Sequence, residues 1–440
     1  MRFWLQITTD QIMTKNSTAW DTFFSKTSTL DEITEQGYSY VTAENIKKIS
    51  GREPRLLAKI DTWRECPEVF RKHSLTIFPV ENGKYIIFKD LMRKTYFGLD
   101  EAVYPVVLER YTSKIDLYRF DSFPGIQRLN ESQALDFAFI SSLLCNFTGD
   151  NDLNLVIRGR TFSGRFDFRL PNVEHQVKVS SVQIEIDGGY ESNDAIYLIE
   201  VKTGRREDFH IRQLYYPFLE WSNKSRKRIV PIFLIFTNGK FYFFQFGFQR
   251  EFGDLRVERA QGFVVNEAPT TEINIALLIE QTVVEQEPNV PFPQANDLDK
   301  IVDLIALADR DLAAKTEIAS YFEFDERQAD YYANAGIYLG FLARHGNGFL
   351  VTKLGQRFIG TNSLSMRTNM MVEQMLKHSV FRSAFERWRI CGFKTELLNP
   401  AEIARSIENY TSLTGSTPMR RASTVVRWLR WVKQNAKLQP

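Results

Sequence analysis

Cysteine is scarce. Cys66, Cys145 and Cys391 are odd in number and far apart, and no CxxC or CxxH spacing occurs. Neither a disulfide framework nor a structural zinc site is expected, which favours a reducing compartment. Long apolar runs are missing too. The densest, Ile229 to Phe236 (IVPIFLIF), is far short of the ~20 residues that span a bilayer. The opening MRFWLQITTDQ lacks the apolar stretch and small-residue cleavage site of a signal peptide. A soluble, cytoplasmic protein with no membrane partner is expected. No GxxxxGK[ST] loop and no GxGxxG after a strand occur, so no nucleotide cofactor and no DNA-translocating motor are expected. The five histidines, His73, His175, His210, His345 and His378, show no metal-ligand spacing. A large charge of one sign is absent as well: 56 Lys and Arg against 54 Asp and Glu leave +2. That excludes a polybasic protein gripping nucleic acid with its whole surface, but leaves room for a local basic groove.

The remainder is ordinary globular material: 440 residues, 43% apolar, 13% aromatic and 25% charged. Such a length suits two to four domains, each burying its own core. Val284 to Asn296 (VEQEPNVPFPQAN) carries Pro288, Pro291 and Pro293 and no periodic apolar face, so it reads as a linker. A softer boundary lies at Ser122 to Leu129. The expected division is an N-terminal α+β domain over 1–121, an α/β domain over 122–283, the linker 284–296, and a helical domain over 297–440.

Ser74 to Lys89 reads as a hairpin around Glu81-Asn82-Gly83, and Ala43 to Ile49 and Pro54 to Ile60 as helices. Glu131 to Phe147 reads as one mostly buried helix. Strands follow at Leu153–Arg160, Ser163–Leu170, Val182–Asp187 and Ala195–Lys202. Next come a helix over Glu207–Trp221 that Pro217 should kink or end, an apolar central strand Ile229–Phe236, and its hairpin partner Lys240–Phe246 across Asn238-Gly239. This order predicts an α/β layer with a mixed sheet. After the linker, Leu298–Ala308, Lys315–Tyr321 and Asp325–Leu342 read as three helices, Asp325 as an N-cap, and Arg344–Val351 as a hairpin. Three helices and a hairpin are the pattern of a winged helix, whose third helix enters the DNA major groove.

The sharpest constellation is IEIDGGYESNDAIYLIEVK, Ile184 to Lys202. Asp187 ends one strand at an expected Gly-Gly turn; a second ends in Glu200-Val201-Lys202. Alternation puts Glu200 and Lys202 on one face, and a hairpin-like pairing puts Asp187 beside Glu200. Two converging carboxylates suit Mg²⁺, which takes carboxylate oxygens and keeps several waters. A lysine beside them can hold an attacking water or offset charge in a phosphoryl transition state. Glu131 is a possible further carboxylate, and Gln213 could brace the site. Glu185 shares the face of Asp187; an ordinary salt bridge is its favoured reading. A solvent-facing charged hairpin is the plainer alternative for the whole set. The almost wholly apolar strand Ala195–Val201 argues against it, because a carboxylate ending a buried strand needs a partner.

Basic clusters follow: Arg205, Arg206 and Arg212; Lys224 to Arg228 (KSRKR); and six cations with no acid from Asn409 onward. Such runs suit phosphate contacts, although a lone run is more often a solvated face. Arg158, Arg160 and Arg165 surround RGRTFSGRFDF, expected as a hairpin able to clasp a groove. In the third helix of the C-terminal domain, Arg327, Gln328, Tyr331 and Asn334 are candidate readers, Arg, Gln and Asn being the side chains that pair bidentately with base edges. His210 is as readily a packing residue as a DNA contact. Trp428-Leu429-Arg430-Trp431 is expected to dock an apolar side on the winged helix.

Asp187 followed by Glu200-Val201-Lys202, in this order of helix, strands, helix and strand, resembles the signature of the PD-(D/E)xK nuclease superfamily. Ile186 stands where that family usually has proline. The resemblance implies Mg²⁺ on Asp187 and Glu200, Lys202 as the catalytic lysine, and Glu131 as the helix acid, with Asp136 one turn further on. With GREPRLLAKIDTWRECPEVFRKHSLTIFPVENGKYII ahead of this core and DERQADYYANAGIYLGFL behind it, the chain resembles type II restriction endonucleases with a C-terminal winged helix. The activity implied by the resemblance is that of a Mg²⁺-dependent, sequence-specific endonuclease on double-stranded DNA that leaves 5′-phosphates. Cutting both strands leads to an expected homodimer. The competing expectations are a structure-specific repair or recombination nuclease, and a non-catalytic DNA-binding protein on a nuclease-like fold.

Overall fold

The computed structural model describes residues 15–99, 103–105, 107–171, 173–248, 252–265, 272–310, 313–322 and 326–439. The expected N-cap Asp325 lies outside them.

The N-terminal unit packs helices α1 (Lys15–Ser25), α2 (Thr29–Gln36), α3 (Ala43–Ser50), α4 (Pro54–Leu57) and α5 (Glu68–Lys72) around strands β1 (Tyr38–Thr42), β2 (Leu75–Glu81) and β3 (Lys84–Lys89). The strands lie antiparallel in the order β1-β3-β2. Gly83 at φ +75° turns the expected hairpin, and Trp20, Phe23 and Phe70 fill the core. The second expected helix keeps only the turn of α4. The chain then runs through β4 (Tyr96–Gly98) to β5 (Leu108–Tyr111).

The central unit is a seven-stranded mixed sheet in the order β5-β14-β13-β12-β10-β9-β6. Before it come α6 (Glu131–Ile140) and α7 (Leu143–Thr148). One helix was expected there, but Ser142 sits in the left-handed region at φ +63° and breaks it. The strands are β6 (Asn154–Phe162), β9 (Gln183–Glu191), β10 (Ala195–Thr203), β12 (Arg228–Thr237), β13 (Lys240–Phe248) and β14 (Leu255–Val265), with β5 from ahead of residue 122 on the edge. A separate hairpin pairs β7 (Arg165–Arg169) with β8 (Gln176–Ser180). The expected hairpin between the segments flanking Gly164 is therefore corrected: β6 pairs with β9 instead. β11 (Asp208–His210) pairs with β4, so the next helix, α8 (Arg212–Lys224), starts later than expected and runs past Pro217. β10 and β12 are parallel; β9, β10 and β12, β13 are antiparallel pairs. β12 is buried on both faces, as its apolar run requires. One core lies beneath α6 and α7 (Leu135, Phe147, Ile199, Val201), the other beneath α8 (Leu214, Tyr216, Ile196, Leu198).

In the C-terminal unit, β15 (Glu272–Asn274) and α9 (Ile275–Gln281) precede α10 (Leu298–Ala308), α11 (Lys315–Phe322) and α12 (Glu326–Tyr338), and a hairpin of β16 (Leu342–His345) and β17 (Gly348–Val351) follows. A single bridge from Ala314 to Gly348 adds a third short extended segment. Five helices follow: α13 (Lys353–Gly360), α14 (Leu364–Leu376), α15 (Ser379–Ile390), α16 (Pro400–Tyr410) and α17 (Thr417–Asn435), and β18 (Lys437–Gln439) returns to pair with β15. The proline-rich segment 284–296 has no helix or strand, as expected, but it is a strap rather than a free linker. Phe292 and Ala295 are buried in the C-terminal core, and Trp428 donates its indole N–H to the Ala295 carbonyl at 2.7 Å. Trp431 donates to Asp299 on α10 at 2.7 Å, so the terminal tryptophans dock on the strap and on α10. Among the described residues no helix is long and apolar enough to cross a membrane.

Candidate functional site

β10 alternates strictly. Ile199 and Val201 enter the core beneath α6, while Glu200 and Lys202 face α8. The Lys202 ammonium donates to Glu200 Oε1 at 2.7 Å, and Gln213 Nε2, in the first turn of α8, donates to the same oxygen at 2.9 Å. Gln213 thus braces Glu200. Its own Oε1 is buried with no hydrogen-bond partner among the described residues.

Asp187 reaches the site by a different route from the one its Gly-Gly neighbours suggested. Gly188 and Gly189 are not a turn; they lie within β9, opposite Ile199 and Leu198. They are glycines because the strand is closely overlaid. A Cβ on Gly188 would come 2.7 Å from the Leu135 side chain, and one on Gly189 2.6 Å from that of Ile157. The β9–β10 ladder ends at the Gly188–Ile199 pair. Beyond it the Val201 N–H is taken by the Asp187 carboxylate, Oδ2 accepting at 2.8 Å. The carboxylate therefore sits where the two strands part, beside Glu200.

The opposite side of β9 is irregular. Ile157 of β6 faces Gly189, and Gly159 faces Ile186, so Asp187 and Gly188 together oppose Arg158. This is a β-bulge, and it swaps the faces of β9. Ile184 and Ile186 pack on the α8 side, Tyr190 on the α6 side. Arg158 Nε donates to the Asp187 carbonyl at 3.0 Å, and its guanidinium pairs with Asp136 on α6 at 2.5 Å. Glu131, first residue of α6 behind the N-cap Asn130, accepts the Thr203 N–H at 3.2 Å. Glu131 is thus drawn to the end of β10, whereas Asp136 is engaged by Arg158. Glu185 pairs with Arg160 at 3.0 Å, the favoured reading for it.

The electrostatics follow from burial. Glu200 is pushed up to about 8 by desolvation, with Asp187 and Glu131 adding to the rise against Lys202. Burial likewise raises Asp187. Burial would lower Lys202, but Glu200, Glu131 and Asp187 outweigh it and hold the ammonium protonated. Three carboxyl groups thus gather about one ammonium. Among the described residues no three His, Cys, Asp or Glu side chains form a ready-made metal cage, so a zinc-type site does not fit. Asp187 and Glu200 are hard oxygen donors of the kind Mg²⁺ takes, one or two carboxylates sufficing because the ion keeps most of its hydration.

The surface candidates divide. Arg158, Arg160 and Arg165 are exposed on β6 and β7, the first two with the partners just given. Arg205 is half-buried, its guanidinium 4.4 Å from the Tyr104 ring centre. Arg206 is only 6% exposed and donates to the Tyr321 carbonyl on α11 at 3.4 Å; it belongs to the contact between units, which corrects its expected place on a DNA-facing surface. On α12, Arg327 is exposed above the Tyr331 ring, and Gln328 and Tyr331 are half-buried. Asn334 is 8% exposed and accepts from Arg344 of the hairpin at 2.7 Å, so it braces that hairpin and is not presented to solvent. His210 is a packing residue, buried among Phe78 and Tyr96 and held well below its usual pKa by burial and then Arg212. The Arg158–Asp136 pair was not legible as part of the site. Its only signal was Asp136 one turn beyond Glu131.

Three family models match, each described only as a domain of unknown function: DUF6996 over residues 17–87, DUF6997 over 99–264 and DUF7226 over 300–437. The second spans the seven-stranded sheet and the whole candidate site. No curated protein and no solved structure matches the chain.

Proposed function

We propose that this chain is a Mg²⁺-dependent endonuclease acting on double-stranded DNA, of the PD-(D/E)xK type. The observation that carries the reading is the convergence of Asp187, Glu200 and Lys202 where β9 and β10 separate. The order α6, β6, β9, β10, α8, β12, with β10 parallel to β12, supports the same nuclease core. Asp187 and Glu200 would hold the ion. Bound Mg²⁺ supplies a lowered pKa for its water and neutralises charge on the phosphate. Lys202, fixed by Glu200, orients the attacking water and faces the negative charge that develops on the phosphoryl oxygens. Gln213 fixes the Glu200 carboxylate, and Glu131 anchors the end of β10. The three helices and hairpin of the C-terminal unit support a winged helix that reads duplex DNA, with Arg327 at its exposed end. Restriction of foreign DNA by a cytoplasmic homodimer, with 5′-phosphate products, completes the reading.

One observation favours a second reading. With Asn334 buried, α12 has fewer base-reading side chains than its sequence offers, which favours a nuclease that reads DNA structure over sequence. The test is digestion of unmethylated phage DNA and of branched and nicked duplexes, with Mg²⁺ and with chelator. Discrete bands support site-specific cleavage, and cutting confined to junctions supports the second reading. No cleavage of any substrate, or full activity in Lys202→Ala, overturns the assignment.

A further inference from the structure

We propose that Arg158 is a positioning residue for the Asp187 carboxylate, its guanidinium committed at the surface to the Asp187 carbonyl and to Asp136 and not to a DNA phosphate. The inference rests on the nuclease reading above, and deepens it.

A bulge leaves one residue outside the regular ladder, so its polar groups need other partners. Here Asp187 is in the bulge, and Arg158 Nε donates to its carbonyl at 3.0 Å. The neighbouring Gly159, at φ +97°, adopts a backbone that L side chains rarely take. The outer end of the same guanidinium bonds Asp136 Oδ1, five positions along the helix that starts with Glu131. One side chain therefore ties together β6, the bulge of β9 and α6, three of the elements that meet at the site. Rotating the Asp187 peptide would turn its carboxylate away from Val201 N and from Glu200.

The chemistry of the group matters. A guanidinium presents several N–H donors in a rigid fork and can serve a carbonyl and a carboxylate at once; an ammonium on a flexible stem cannot keep both in place. Asp136 also pairs with the positive charge, its carboxylate 2.5 Å from the guanidinium. A residue whose charge is already paired in this way has less to gain from a phosphate.

The test compares the wild-type chain with Arg158→Gln, Arg158→Lys and Asp136→Asn. Mg²⁺ binding is followed by calorimetry on the DNA-free chain, cleavage as a function of Mg²⁺, and duplex affinity by anisotropy in chelator. Groups that orient metal ligands typically change metal affinity by about 10-fold or more. Arg158→Gln and Asp136→Asn are both expected to weaken Mg²⁺ binding by about that factor, with duplex affinity changed less than about twofold. Arg158→Lys, which keeps the charge, is expected not to rescue. A phosphate contact behaves in the opposite way: Asp136→Asn would release the arginine and tighten DNA binding, and Arg158→Lys would rescue. That pattern, or unchanged Mg²⁺ affinity in Arg158→Gln, overturns the proposal. A urea midpoint for each variant separates misfolding from loss of metal; Asp136→Asn carries the test if Arg158→Gln unfolds. A wild-type chain that binds no Mg²⁺ and cuts nothing brings down the nuclease reading first, an outcome distinct from a working enzyme indifferent to Arg158.

Discussion

Replacing Lys240 by Met is expected to loosen the junction between the central sheet and the C-terminal unit. The turn joining β12 to β13 has Asn238 and Gly239 both at positive φ, 49° and 69°, the conformation of a two-residue hairpin. It is pushed into the C-terminal unit. Lys240 Nζ donates to both oxygens of Asp299, at 2.9 and 3.0 Å; Asn238 Nδ2 adds a bond at 2.9 Å, and the Trp431 indole one at 2.7 Å. Arg367 of α14 donates to the Asn238 carbonyl at 3.2 Å. Lys240 is 2% and Asp299 3% exposed. Burial alone would raise the Asp299 pKa, yet Lys240 and the other donors hold it below the usual carboxylate value. Removing one partner of a buried ion pair costs about 3–5 kcal/mol, because the other charge is stranded. Two donors to Asp299 survive in Lys240→Met, so the expected loss is near the lower end, about 3 kcal/mol.

The assay is urea unfolding followed by tryptophan fluorescence. Trp388, Trp428 and Trp431 are buried in the C-terminal unit and report its transition. With a slope of about 3 kcal/mol/M, the midpoint should fall by about 1 M. Asp299→Leu should cost a similar amount. The double variant should cost less than the sum of the singles by about 2 kcal/mol or more, since neither charge is then left alone. Single variants within about 0.5 kcal/mol of wild type, or strict additivity, would refute a closed ion pair at this junction.

The same turn predicts a pH dependence. Burial lifts Asp303 to about 7, against hydrogen bonds from Thr237 and the Asn238 N–H. An unfolded Asp titrates near 3.9, so the folded state holds the proton more tightly. Its contribution to stability is complete below about pH 4 and is lost as pH rises to about 7, on the order of 4 kcal/mol at most. Urea midpoints from pH 4 to 8 should show that decline, and Asp303→Asn should remove this group's part of it. A second prediction concerns α17, where Arg420, Arg427 and Arg430 lie exposed along one side and Ala422, Val425, Trp428, Leu429 and Val432 are buried on the other. Each phosphate contact contributes about 0.9 to the slope of log affinity against log salt. Arg420→Gln with Arg427→Gln should therefore flatten the slope by up to about 1.8 in anisotropy titrations; an unchanged slope would make this side a solvated face.

Much of the fold was legible where one periodicity dominates. The almost wholly apolar run Ala195–Val201 and the two-faced apolarity of Ile229–Phe236 mark β10 and β12, and Asn238-Gly239 marks the turn between β12 and β13. Position in the motif likewise places Glu200 and Lys202 on one face. Legibility failed where tertiary contacts decide. Gly188-Gly189 carries the signal of a turn, yet the pair serves close packing under Leu135 and Ile157. Glu131–Phe147 has no residue that demands a break, and only the left-handed Ser142 ends the first helix. Asp208–His210 reads as helix because its strand partner, β4, lies far back in the sequence. Asn334 has the chemistry of a base reader, and only the folded position of Arg344 gives it another task.

Among the described residues two lysine–carboxylate pairs are buried, and their difference bears on function. At the junction, Asp299 accepts from Lys240 on both oxygens and from Asn238 and Trp431 on Oδ1, and its pKa stays low. That pair is complete. In β10, Lys202 and Gln213 both serve a single oxygen of Glu200, Asp187 and Glu131 crowd the same ammonium, and Glu200 rises to about 8. Burial is the first cause of that rise, with Asp187 and Glu131 adding to it, so near neutral pH Glu200 keeps a proton that Asp299 has given up. A pair that serves only structure gains nothing from a carboxyl held so far from its usual value, because each pKa unit corresponds to about 1.4 kcal/mol. Strained electrostatics of this kind gather at functional sites, and here they coincide with the place where β9 and β10 part.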